Sequence, residues 1–312
     1  MRYNQLGKTG YEISAISFGA SSLGGVFHEI NEQKAIEAVH VALELGINYI
    51  DVAPAYGGTK AETVLGQALQ GVPRASYYLS TKVGKNTAPD GYGVDSFDYS
   101  REGIISSLDA SAKRIGVDYF DIVHLHDIEY NNRVHTEWAL NEGMKTLFEL
   151  KQEGRIGAVG IGMYPADLWE RVIEEGLIDV GLSHNLYCLN DTRLLPLLQQ
   201  AKAKGIGLIN ASPFAAGLLT SRGAPGWHPA TPEQRSIFNK AATYCSEKGV
   251  EIEKLAIQFS TQHPDLVTTM FSSSNPETVR RNIAWSSAPM DETLLADVLK
   301  ILSPVSNHNW NY

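Results

Sequence analysis

Cysteine is almost missing from this sequence: there are two in 312 residues, Cys188 and Cys245. They lie far apart and form neither a CxxC pair nor a metal-spaced group. That argues against a disulfide framework and a zinc site, and for two small apolar side chains in a reducing compartment; no metal is expected. Basic clusters are missing too. Lys and Arg number 26 against 35 Asp and Glu, a net charge of −9, and no patch is arranged to neutralise a phosphate backbone, so nucleic acid is not an expected partner. No apolar run approaches the roughly 20 residues that cross a bilayer, so no membrane association is expected. The opening residues, Met1-Arg2-Tyr3-Asn4-Gln5, show no basic and then apolar leader, and the expected location is cytoplasmic. Low-complexity tracts, charge blocks and heptads are absent.

What is there is a repeat of short β-branched runs, each followed by a helical stretch. Runs around Ala15–Phe18, Asn48–Asp51, Tyr78–Thr81, Phe120–Val123, Gly157–Ile161, Ile178–Leu182, Gly207–Asn210 and Val267–Met270 read as strands. Between them, Asn31 offers an N-cap to a helix with Ile36, Val39 and Leu43 on one stripe and a stop at Gly46. A second helix carries Met144, Leu147 and Phe148 and stops at Gly154; a third carries Leu195, Leu198 and Ala201 and stops at Gly205. About eight β-then-α units without a linker predict a (β/α)8 TIM barrel, a single domain over residues 1–312. The competing doubly wound sheet requires a G-x-G-x-x-G turn after an early strand, and Gly19, Gly24 and Gly25 have the wrong spacing. Three non-periodic stretches, 85–96, 126–134 and 217–232, each follow a strand. In a barrel such loops gather on the C-terminal, catalytic face.

Four polar residues stand at or just past the ends of successive strands: Asp51 and Tyr56 after the second, Lys82 at the third, His126 at the fourth. An ionisable group closing an apolar strand is costly to bury unpaired, so Asp51 and Lys82 are expected to pair. A tyrosine beside that lysine gains a stabilised phenolate, bringing its proton exchange nearer neutral pH. His126 can donate to a substrate oxygen. His124 lies on the same strand face and is the alternative to it. Lone polar residues at strand ends are usually caps or solvated; their joint occurrence at one barrel mouth is what points to chemistry.

The order and spacing closely resemble the aldo-keto reductase family. The matching segments are Leu6–Gly10, Asn48–Gly57, Ala61–Gly66, Ser80–Lys82, Asp118–His126 and Ala211–Leu219, with Asn282 as the last match. The resemblance implies Tyr56 as general acid/base, Lys82 as the group lowering its pKa, Asp51 as the partner of Lys82, and His126 as the orienting donor. It implies a pyrophosphate loop at Ser212, Phe214, Ala215, Gly217 and Leu218, held through backbone N–H groups. The adenosine end then falls on Ser272, Ser273, Ser274 and Arg281, with Asn282 on the adenine. Family members that favour the 2′-phosphate cofactor place Lys and Arg near Ser272 and Thr278; this chain has neither, so NAD is expected, while Arg280 and Arg281 leave NADP open. Ala211 replaces a stacking tyrosine, and Gly162-Met163 replaces a Ser-Asn pair, so the nicotinamide end is assigned to Ser183, His184 or Asn185, with Asn210 beside them.

Within the family the resemblance runs to sugar 1-dehydrogenases that oxidise the C1 hydroxyl of L-galactose, L-fucose or D-arabinose to a lactone with NAD. It is carried by Gly19–Phe27, His126-Asp127-Ile128-Glu129 and Gly226–Ala230. The implied substrate-binding set is Phe27, Tyr56, His126, Asp127 and Trp227, with Phe27 and Trp227 offering stacking faces and Asp127 a hydroxyl partner. Alternatives are a reductase of aldehydes or ketones, pyridoxal-like aldehydes included; a Schiff-base aldolase on Lys82, against which the Asp51 carboxylate argues; and a non-enzymatic regulatory subunit on the same fold. A small-molecule partner and a monomer or homodimer complete the expectation.

Overall fold

The computed structural model describes residues 1–87 and 95–310. Eight strands form the framework: β1 (Ile16–Gly19), β2 (Tyr49–Asp51), β3 (Tyr78–Val83), β4 (Phe120–His126), β5 (Ile156–Met163), β6 (Val180–His184), β7 (Gly207–Ala211) and β8 (Thr268–Ser272). Each pairs in parallel with the next and β8 returns to β1, closing a barrel. The expected (β/α)8 barrel is therefore the observed one, and the doubly wound sheet is excluded.

Helices fill the outside: α1 (Glu32–Glu44), α2 (Lys60–Leu69), α3 (Arg101–Ile115), α4 (Met144–Gln152), α5 (Ala166–Glu175), α6 (Leu194–Lys204), α7 (Pro232–Glu247), α8 (Ile252–Gln262), α9 (Pro276–Ser286) and α10 (Glu292–Leu302). The expected punctuation operates. The Asn31 side chain accepts from the Lys34 amide to start α1, Thr231 and Gln234 form a reciprocal capping box on α7, and α6 ends on a left-handed Gly205. One expected stripe is narrower than read: Met144 and Leu147 are buried, but Phe148 is exposed.

Along each strand alternate side chains point inward, so the barrel interior is filled by Tyr49, Ile122, Ala158, Val180, Leu182, Ile209 and Met270. A hairpin (Tyr3–Gln5 with Glu12–Ser14), which strand periodicity missed, plugs the N-terminal end. Its Leu6 lies so close to Gly207 that a Cβ there would come within 2.6 Å of Leu6 Cδ1, which reserves the position for glycine. With this end covered, the large cavity lies at the C-terminal mouth. Of the stretch 85–96, residues 88–94 lie outside the described residues; Lys85–Thr87 and Asp95–Phe97 pair as a small antiparallel hairpin. No described helix is long and apolar enough to cross a membrane.

Candidate active site

Parallel closure with register Gly19↔Asp51, Asp51↔Ser80 and Lys82↔His124 brings the ends of β2, β3 and β4 to one point at the mouth. There Lys82 Nζ donates to Asp51 Oδ2 in a short contact, to the Tyr56 hydroxyl at 2.9 Å, and to the Val52 carbonyl at 3.2 Å. The second Asp51 oxygen accepts from Ser80 Oγ at 2.7 Å, and Ser80 is in turn bonded to the Tyr49 hydroxyl at 2.8 Å. Asp51 and Lys82 are each 1% exposed, so neither partner has water to fall back on. The expected ion pair is present.

Burial opposes the charge on Lys82, but the Asp51 carboxylate and the Tyr56 oxygen more than offset it, and its pKa stands above the ordinary lysine value. Lys82 is thus an ammonium, not a free amine. For Tyr56 the balance differs from the sequence expectation. Burial pushes its pKa up, the Lys82 charge opposes without prevailing, and the neutral phenol is the resting form. His126 is pressed down to about 3, by burial first, with Asp127 pulling the other way and Lys82 adding to the fall. It is therefore a neutral imidazole at working pH, able to donate to an oxygen without carrying charge. Its ring meets that of Tyr56 edge to face, and its carbonyl accepts from the Tyr99 hydroxyl at 2.6 Å, which fixes the strand end. His124 shares the strand face but lies one layer down inside the barrel, fully buried and away from the mouth.

A cavity of about 1030 Å³ opens over these groups. Of the residues assigned from sequence, it is lined by Asp51, Tyr56, Lys82 and His126, by Phe27, Asp127 and Trp227, and by Ser212, Phe214, Gly217, Ser272, Ser273, Ser274, Arg281 and Asn282. Four assigned residues are placed elsewhere. Ser183 is fully buried off the cavity, and Asn210 donates to the Tyr187 carbonyl and Thr269 Oγ1 in the layer outside the barrel; at the nicotinamide end the neighbours His184 and Asn185 line the wall instead. Ala215 and Leu218 point into the core. The expectation of backbone donors on this loop is corrected in part as well: the amides of Ala215, Gly217 and Leu218 turn back onto the carbonyls of Ser212, Phe214 and Ala215. The loop is a series of tight turns, and turns consume their own amides.

The residues present fit a dinucleotide at the β8 side of the cavity. Asn282 is 2% exposed, lines the wall, and holds a buried Nδ2 with no hydrogen-bond partner among the described residues. A buried amide donor without a partner is costly unless a ligand supplies the acceptor. Arg281 is paired with Glu251 at 3.2 Å and stacked on Trp285, and Arg280 lies 3.8 Å from Glu277.

Lys85, Tyr130 and Glu253 are lining residues that sequence reasoning missed. Lys85 Nζ lies 2.7 Å from Asp127 Oδ2 and 3.9 Å from the Tyr130 ring centre, so the Asp127 carboxylate is held in an ion pair and does not stand alone as an acceptor. Both partners are nearly buried, and the Lys85 ammonium bonded to it helps hold the Asp127 carboxyl below the usual carboxylate range in spite of burial. The only advance signal was position: Lys85 opens the loop after the third strand. Glu253 accepts from the Ser221 amide and hydroxyl at 2.8 Å each, tying the loop after β7 to α8.

A model of the aldo/keto reductase family matches residues 15–302. Among curated proteins, the chain is 40% identical over 314 residues to L-galactose dehydrogenase of Arabidopsis thaliana, covering 98% of this chain and 95% of that one. It is 31% identical to D-arabinose 1-dehydrogenase of Saccharomyces cerevisiae, covering 80% and 75%, and 29% identical to pyridoxal 4-dehydrogenase of Microbacterium luteolum, covering 90% and 91%.

Proposed function

The chain belongs to the aldo/keto reductase family, and from that premise we propose an NAD-linked aldose 1-dehydrogenase that oxidises the C1 hydroxyl of a sugar of the L-galactose, L-fucose or D-arabinose type to its lactone. One observation carries the proposal. The cavity that holds Tyr56 and His126 is also lined by a charged pair, Lys85–Asp127, and an aromatic pair, Phe27–Trp227, whose ring centres are 6.3 Å apart. A sugar presents both matching surfaces, hydroxyls and a C–H face. The relatives at 40% and 31% identity, which carry sugar dehydrogenase names, support the same class.

A nicotinamide, when bound, supplies the acceptor for the hydrogen on C1. The protein does the rest. His126, neutral, donates to the C1 oxygen and fixes its direction. The hydroxyl proton passes to the Tyr56 oxygen once that phenol has lost its own, a loss favoured by the Lys82 ammonium at 2.9 Å. Asp51 holds Lys82 charged and in place. Asn282 and the Ser272–Ser274 segment are the groups that would hold the dinucleotide, with Arg281 tied to Glu251 and therefore less disposed toward a 2′-phosphate. A second reading, reduction of an aldehyde or ketone, draws on the same tyrosine in the opposite direction, and the burial that favours its phenol suits that role. The intact tetrad argues against a purely regulatory subunit.

The test is a lactone assay. With NAD and L-galactose, L-fucose or D-arabinose, hydroxylamine trapping should detect lactone in step with NADH. Asp127→Ala should lower kcat/KM for the best sugar at least tenfold more than for a small aldehyde. Equal losses on both substrates would overturn the assignment of Asp127 to the sugar.

A further inference from the structure

Trp227 is half exposed at the cavity wall, and among the described residues its ring contacts are with Phe27 and His228, at 6.3 and 6.2 Å. Something beneath it must hold the segment 224–230, which has no helix or strand of its own. That support is Arg235, on the first turns of α7. Its guanidinium donates to four carbonyls of this one segment: Nη1 to Ala224 at 2.8 Å, Nη2 to Pro225 at 3.0 Å and to His228 at 2.8 Å, and Nε to Ala230 at 3.1 Å. The bonded carbonyls flank Trp227 on both sides. A planar fork of donors can bind four acceptors at once; a lysine ammonium has three rotatable donors on a flexible stem and no fixed plane. His228 completes the base. It is 3% exposed, its Nδ1 accepts from the Ala230 amide at 3.1 Å, and its ring packs edge to face on Trp310, centres 5.0 Å apart.

We infer that Arg235 is a positioning residue for substrate recognition: by pinning the carbonyls on both sides of Trp227 it holds the indole where a sugar ring stacks, and so sets sugar affinity without touching the reacting atoms. The inference rests on the reading of Trp227 as a sugar-stacking wall. Loss of the fork frees several backbone acceptors and lets the segment sample other conformations, so the bound state pays an ordering cost that the native wall does not.

The experiment compares Arg235→Met, Arg235→Lys, Trp227→Ala and the double variant Arg235→Met/Trp227→Ala. Arg235→Met should raise KM for the best sugar about tenfold, with kcat, NAD affinity by fluorescence titration, and KM for a small aldehyde each within about twofold. Arg235→Lys should recover only part of the loss, because a lysine cannot reproduce the fork. In the Trp227→Ala background, Arg235→Met should add nothing. If Trp227→Ala raises the sugar KM and Arg235→Met does not, the inference on Arg235 fails and the stacking wall stands. If Trp227→Ala leaves the sugar KM unchanged, the wall itself is wrong and Arg235 loses its role with it. Should Arg235→Met fail to fold by circular dichroism, Arg235→Lys carries the test: an unchanged sugar KM overturns the inference, and a raised one supports it.

Discussion

The rings of Tyr56 and His126 meet edge to face, with centres 5.8 Å apart and planes at 90°. The arrangement sets a phenol and a neutral imidazole side by side at the cavity wall, where the proposed function puts the reacting oxygen of the substrate. Because burial raises the Tyr56 pKa, the phenolate needed for oxidation becomes more populated as pH rises. Sugar oxidation should therefore climb with pH through and beyond neutrality, while carbonyl reduction falls over the same range. Tyr56→Phe should lower kcat by about 10²–10⁴, with nucleotide affinity nearly unchanged in fluorescence titration. Turnover close to wild type would remove Tyr56 from the chemistry.

Lys82→Met leaves the Asp51 carboxylate buried with Ser80 as its one remaining side-chain donor among the described residues. Breaking such a pair costs about 3–5 kcal/mol, so the melting temperature should drop along with activity. Adding Asp51→Asn removes the orphaned charge and should restore most of the stability but none of the turnover. Because Asp51 keeps Lys82 protonated, borohydride treatment with a keto substrate should leave no adduct. A mass increase at Lys82 would instead support Schiff-base chemistry.

Glu129 provides a pH test of stability. Burial first, then the neighbouring Asp127 charge, raises its carboxyl to about 8 from 4.5, while one oxygen accepts from the Tyr164 amide at 2.9 Å. Between these two values the folded chain holds a proton that the unfolded chain has lost. The stabilising contribution is therefore full below pH 4.5 and is lost as pH rises through 8. Glu129→Gln keeps the acceptor and removes the titration, so its stability relative to wild type should improve steadily from pH 5 to pH 8 in urea melts. A difference that does not change with pH would contradict the buried, protonated carboxyl.

Cofactor preference should follow the charges near α9. NAD should be preferred over NADP by kcat/KM. Ser272→Lys with Thr278→Arg should shift the preference toward NADP by tenfold or more, since charge-assisted bonds are worth roughly 1.5–3 kcal/mol each when well formed. Glu251→Gln, which frees Arg281 from its 3.2 Å partner, should shift it in the same direction by a smaller amount. A wild-type preference for NADP would mean that Arg280 or Arg281 already serves the phosphate.

The sequence made the barrel legible because each of the eight strands carries at least one β-branched residue in a short apolar segment ahead of a helical stretch, yet it ended most of them too soon. Strands β6 and β8 continue through His184 and Ser272, where the ladder persists but apolar patterning stops because the site begins. The tetrad could be read from its spacing; its electrostatics could not. Nothing along the chain shows that burial outweighs Lys82 at Tyr56, that Lys85 reaches Asp127, or that Ser183 and Asn210 are turned off the cavity. Those depend on side-chain packing between distant elements. Arg235 was hidden for the same reason: its four acceptors are backbone atoms, which leave no trace in residue type.

Sugar oxidation can be weighed against carbonyl reduction by a competition of specificity constants on the wild-type protein. Initial rates followed by NADH absorbance should give a larger kcat/KM for L-galactose, L-fucose or D-arabinose with NAD than for reduction of pyridoxal or an aromatic aldehyde with NADH or NADPH. No sugar oxidation with either nucleotide, together with fast aldehyde reduction, would contradict the account and leave the chain a carbonyl reductase of the same family.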